Sequence, residues 1–98
     1  MAQPSLPVFS ALGHQTRWRT FEILLARGED GMLQHEVAKA LGLETNLMSV
    51  HLKIMRHAGL VTAERNGREV TYRVAPDAAR HAAEVLLKAI DAGGRKKG

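Results

Sequence analysis

Ninety-eight residues leave room for one domain, and an apolar fraction of 45% lets that domain form a core. With no cysteine, a disulfide framework, a thiolate metal site and a thiol redox switch are all excluded. The formal charge is +4; no apolar run approaches membrane length, and the start lacks a basic segment followed by an apolar one, so the expectation is a cytoplasmic protein with no membrane contact.

In chain order, residues 1–7 carry two prolines and read as irregular and flexible. Val8 to Leu12 fits a short helix that Gly13 breaks. Gln15 to Arg27 reads as a firm helix with Thr16 as its N-cap, and Trp18, Phe21, Leu24 and Leu25 share one side. Gly28 to Gly31 is a loop with two acids and two glycines. Leu33 to Leu41 is a helix with Val37, Ala38 and Leu41 facing inward, and Gly42 ends it where a positive φ is wanted.

A second helix follows over 45–58, started by Glu44 or Thr45 acting as acceptor for the free N–H groups of the first turn. Met48, Leu52 and Met55 make its apolar stripe. Thr45, Asn46, Ser49, Val50, Lys53 and Arg56 lie mostly on the other side. That outer face is short-chained, nearly free of acid, and basic toward its end, which suits a DNA major groove. Two short helices joined by a small-residue turn form a helix-turn-helix, whose second helix reads bases. The positive net charge agrees with a nucleic-acid partner.

Residues 61–74 then read as a β-hairpin about Asn66-Gly67, with a type I′ turn. Val70, Tyr72 and Val74 alternate with Glu69, Thr71 and Arg73. Arg65 and Arg68 flank the turn and would project from its tip toward phosphates or a minor groove. The last helix opens at Pro76 and Asp77 and runs to about Ala92, with a flexible basic tail over 93–98.

LGHQTRWRTFEIL, VAKALGLETNLMSVHLKIMRHAGLV and ERNGREVTYRV together resemble the arsenic-repressor (ArsR/SmtB) family of winged helix-turn-helix repressors over roughly Phe9 to Leu86. The resemblance implies a mainly α domain of four helices, a hairpin wing and a C-terminal fifth helix. It also implies a homodimer that represses transcription and leaves DNA when an effector binds. The expected DNA contacts are Thr45, Asn46, Ser49, Val50, His51, Lys53, Arg65 and Arg68, with His51 against a phosphate or the neighbouring helix. The alanine-rich last helix and the first helix carry surplus apolar surface, and Val8, Phe9, Leu12, Ala79, Ala83, Leu86 and Ile90 are the expected dimer interface.

Other chemistries fare worse. The family's cysteine sensing site is missing, since Leu33 and His35 occupy those positions. Asp77, His81 and Glu84 share a face of the last helix but do not reproduce the family's ligand spacing, so no metal or other cofactor is expected. Ser49 and His51 point to different sides of one helix and form no catalytic dyad, and no phosphate loop is present. The expected partners are double-stranded DNA, a second copy and an unknown effector. Two rivals stand beside this reading: a winged-helix protein-interaction module without specific DNA binding, with Leu47 and Val50 in its surface, and a metal-responsive repressor with its site on the last helix.

Overall fold

The computed structural model describes residues 5–96, and side chains through residue 94. Five helices and three short strands follow in the order α1 (Ser5–Leu12), α2 (Gln15–Arg27), β1 (Met32–Leu33), α3 (Gln34–Leu41), α4 (Thr45–His57), β2 (Val61–Asn66), β3 (Glu69–Val74) and α5 (Pro76–Lys96). One 3₁₀ turn, Gly28–Asp30, links α2 to β1. This is the expected winged helix-turn-helix, a mainly α domain with a hairpin.

The core is built by α2, α3, α4 and the sheet. Leu24, Val37, Met48, Leu52, Met55 and Leu60 are fully buried, with Phe21, Met32, Val61 and Tyr72 closing around them. Trp18 and Leu25, expected on the buried side of α2, are instead about half exposed, at 47% and 50%. Thr20 takes the buried position, and its Oγ1 donates to the Thr16 carbonyl at 2.8 Å, so its hydroxyl enters the core satisfied.

Several boundaries differ from the sequence reading, each for a local reason. Ser5, Leu6 and Pro7 belong to α1; proline is tolerated there because the first N–H groups of a helix have no intrahelical partner. His14, not Thr16, caps α2: the Thr16 N–H donates to His14 Nδ1 at 3.2 Å. Glu44 precedes α4 without a side-chain cap, and only its carbonyl takes part, accepting from the Met48 N–H at 3.0 Å. The last helix continues through Gly93 and Gly94 to Lys96; of the expected tail, residues 97 and 98 lie outside the described part, as do residues 1–4 of the expected flexible start.

The sheet has a strand that the periodicity did not reveal. Met32 and Leu33 pair antiparallel with Tyr72 and Thr71, so the strand order is β1-β3-β2. Two residues are too few for an alternation to show. The hairpin itself is shifted by one residue from the expected turn. Asn66 pairs with Glu69, leaving Gly67 and Arg68 as the two-residue loop. Gly67 has φ +62° and no non-glycine residue has positive φ among the described residues. That pattern, glycine first and a negative φ second, is a type II′ turn, not type I′.

Val8, expected at a dimer surface, is buried within the single chain together with Ala11 and Ala82, because α1 packs on α5. The rest of α5 runs past the domain: its 21 residues span about 31 Å at helical rise. Leu86, Leu87 and Ile90 are 49%, 59% and 58% exposed.

Gly31 fixes β1 against β3. Its φ of +67° with ψ near −169° is a backbone region reserved for glycine, and a Cβ there would lie 2.6 Å from the Tyr72 carbonyl oxygen. Gly31→Ala should therefore destabilise the domain by at least about 2 kcal/mol in urea unfolding, combining backbone strain with a forced separation of β1 and β3. A variant within about 0.5 kcal/mol of the wild type would show that β1 is not held closely.

Candidate nucleic-acid interface

The inner side of α4 is spent on the core, which determines what remains outside. Met48, His51, Leu52 and Met55 point inward. At helical spacing the opposite face is then led by Asn46, Val50, Lys53 and His57. Toward the wing this face is flanked by Ser49 and Arg56, and away from it by Leu47 and Ile54. Thr45, Asn46, Val50, Lys53, Arg56 and His57 are exposed, and Ser49 is half-buried. No acid occupies the first turn of α4 and no side chain caps it, so its free N–H groups favour an anion.

His51 departs from the expected DNA-contact set. It is only 9% exposed, and its Nδ1 accepts from Arg17 Nη1 at 3.1 Å. Its ring lies 4.7 Å from that of His14. Of the two roles the sequence left open, contact with the neighbouring helix is the one the fold selects. Burial holds its pKa below the ordinary histidine value, with the charges of His14 and Arg17 adding to the effect.

Strand register decides where the wing arginines point. Val61↔Val74, Ala63↔Tyr72 and Arg65↔Val70 are cross-strand pairs, and directly paired residues share a face of a sheet. Arg65 therefore stands on the face that carries Tyr72 into the core, the face turned toward α4. It does not mirror Arg68, which lies in the turn itself. The result is a cleft of about 320 Å³ between α4 and the wing, lined by Gln34, Ser49, Lys53, Arg56, Ala63, Arg65, Val70 and Tyr72. Three cations and no acid line it. A second cleft of about 310 Å³ shares Gln34, Arg65 and Val70 and reaches Thr45, His35 and Arg68.

Arg56, Gln34 and His57 were absent from the expected DNA-contact set, although Arg56 was assigned to the outer face of its helix. The signal for Arg56 is its spacing: Ser49, Lys53 and Arg56 fall at i, i+4 and i+7. Gln34 gives no such signal, because its place beside Thr45 follows from the packing of α3 on α4; its Nε2 lies 3.4 Å from the Thr45 carbonyl. Arg73 is basic and near the wing but committed elsewhere: its Nε donates to the Glu29 carbonyl and its Nη1 to Glu64 Oε1, both at 2.7 Å.

Comparison with known proteins bears on the family and the fold. No protein-family model matches the chain. The SmtB transcriptional repressor of Mycobacterium tuberculosis is 44% identical over 68 residues, which are 69% of this chain and 48% of that protein. A homodimeric winged helix-turn-helix DNA-binding domain from Mycobacterium bovis, described as a possible ArsR-family transcriptional regulator, superposes with a TM-score of 0.70 at 30% identity, covering 90% of this chain and 80% of that one. The chain belongs to the ArsR/SmtB family of winged helix-turn-helix regulators. An ArsR-like regulator from Rhodococcus sp. RHA1 shares the fold, with a TM-score of 0.81 at 26% identity over 95% of this chain and 85% of that one. The chain spans about half the length of the SmtB repressor it matches. Among its described residues no helix is long and apolar enough to cross a membrane, and no group of three metal-ligating side chains converges.

The cleft makes a salt-dependence prediction for this ArsR/SmtB chain. Arg56→Ala and Arg65→Ala should each remove about one phosphate contact per protomer, lowering the slope of log affinity against log salt by roughly two units per dimer at about 0.9 per phosphate. Arg73→Ala should leave the slope unchanged, because its guanidinium is held by Glu64 and Glu29. Binding measured across a salt series checks both, and an equal slope change in all three variants would contradict the cleft.

Proposed function

We propose that this chain is a dimeric, cytoplasmic transcriptional repressor that binds a palindromic operator through α4 and the wing. The observation that carries the reading is the division of α4: one side is sealed into the core, and the other, free of acid, faces a cationic cleft closed by the wing. Asn46, Ser49 and Val50 lie in the first half of the helix and read bases; Asn46 has the donor and acceptor pair that adenine matches, and Val50 suits a thymine methyl. Thr45 and Lys53 lie nearer the backbone. Arg65, with Arg56, seats phosphate in the cleft, and Arg68 at the tip reaches the backbone or narrow groove beyond it.

The second protomer is supported by the unpartnered stretch of α5. Ala83, Leu86, Leu87 and Ile90, with Phe9, form an exposed apolar surface too continuous for a lone small domain, with half-buried Leu12 and Ala79 at its edge. The homodimeric state of the mycobacterial DNA-binding domain supports the same reading. Without cysteine, any effector acts through something other than thiolates.

One observation favours a second reading. Leu47, Val50 and Ile54 make an exposed apolar stripe along the flank of α4 away from the wing, as a protein-docking surface would. Salt dependence separates the two, since counterion release belongs to DNA.

Asn46→Ala should cost roughly 1–3 kcal/mol on the operator and little on random duplex, with preference relaxed at one base position. Equal losses on both duplexes would remove Asn46 from base readout. Leu86→Glu should yield a monomer in sedimentation and abolish operator binding, because each protomer alone contributes half of the contacts. A wild type that sediments as a monomer at micromolar concentration would refute the dimer.

A further inference from the structure

Arg17 ties three helices together. It belongs to α2; its Nε donates to the Ala11 carbonyl in the last turn of α1 at 2.8 Å, and its Nη1 donates to His51 Nδ1 on α4 at 3.1 Å. His14 completes the group: its ring packs 4.7 Å from His51, and its Nδ1 accepts the Thr16 N–H that caps α2. A guanidinium and a backbone N–H can only donate. Nδ1 of His51 therefore carries no proton, and the hydrogen of this neutral ring is on Nε2.

We propose that Arg17, His51 and His14 form a proton-sensitive coupling that positions α4, so that acidification releases α4 from α1 and α2 and weakens DNA binding. This rests on the DNA-binding reading above. A proton on His51 Nδ1 removes the acceptor and places an imidazolium against the guanidinium. Arg17 is a positioning residue here, acting on α4 through His51.

The charges that face His51 come from one side. α1 contributes no charged residue, only the Ala11 carbonyl held by Arg17. The turn before α2 supplies His14 and α2 supplies Arg17. α3 and β2 also pack on α4 and carry His35, Glu36, Lys39, Glu64 and Arg65, none of which is among the causes that lower the pKa of His51. Burial first, then these two groups, lower its pKa. A lowered folded-state value means that the neutral ring stabilises the fold fully above the ordinary histidine pKa of about 6.5, and that this contribution is lost as pH falls below it through the folded value.

The test follows thermal melting and DNA affinity of the full chain between about pH 7.5 and 5.5, a window that spans the histidine titration. The probe is a fluorescein-labelled duplex enriched from a random pool on the wild type at the upper pH. Wild type should melt lower and bind several-fold more weakly in acid, with a ceiling of roughly tenfold per protomer for the single His51 proton over the unit below pH 6.5. A doubly substituted protein, His14→Asn with His51→Gln, keeps a cap and an acceptor for Arg17 but has nothing to titrate. It should bind like wild type at the upper pH and lack the weakening that wild type shows in acid. Ring-proton titration of His51 in the wild type reads the same link without substitution, and should show it protonating only at pH values where α4 amides also shift.

Opposite results are easily recognised. Affinity that stays flat or rises in acid overturns the coupling while leaving DNA binding intact. If wild type enriches no duplex, the DNA reading fails; the coupling to DNA falls with it, and a melting difference between wild type and the double variant judges the three-residue cluster alone.

Discussion

The structure depends on α4 being anchored along one side and bare along the other. Met48, Leu52 and Met55 are fully buried and His51 nearly so, which fixes the rotation of the helix about its own axis. A helix rotated by one residue would turn about 100° and carry Asn46, Val50 and Lys53 off the outer face. Gly42 at φ +68° and Gly59 at φ +81° end α3 and α4 in the left-handed conformation that lets the chain reverse at each point. The Leu60 N–H then returns to the Met55 carbonyl at 2.9 Å, fixing the start of β2 relative to the end of α4. Wing and recognition helix are thus set by the same few backbone bonds, and the cleft between them is a consequence.

The apolar surface is divided between two tasks. Val8, Ala11 and Ala82 close α1 onto α5 inside one chain. Small side chains at that crossing let the helices approach closely. Beyond Ala82 the same helix carries Leu86, Leu87 and Ile90, each about half exposed or more among the described residues. The sequence pattern shows one continuous apolar face from Ala79 to Ile90 and gives no sign of where the intrachain part stops. Only the packed positions of α1 and α5 divide it.

Much of the architecture was legible because helices leave long periodic traces. The bounds of α2 and the inward stripe of α4 follow from spacing, and the two glycine-ended helices from turn chemistry. The misses are short or tertiary. β1 has two residues, too few for a pattern. The Asn66-Gly67 pair signals a turn, yet pairing of Asn66 with Glu69 moves the loop to Gly67-Arg68 and so separates Arg65 from Arg68 in role. His51 looks like a phosphate ligand when α4 is viewed alone, and becomes an interior acceptor once Arg17 arrives from a residue 34 positions away. Trp18 reads as core by its helical spacing to Phe21 and Leu25, but the buried positions of α2 go to Thr20, Phe21 and Leu24.

Amide chemical-shift mapping with operator duplex tests the central claim, that the outer face of α4 and the inner face of the wing form a single DNA surface. The account predicts the largest shifts at Asn46, Ser49, Val50, Lys53, Arg56, Arg65 and Arg68, with little change from Ala83 to Ile90. Shifts concentrated on α5, or on α4 with none at Arg65, would contradict it.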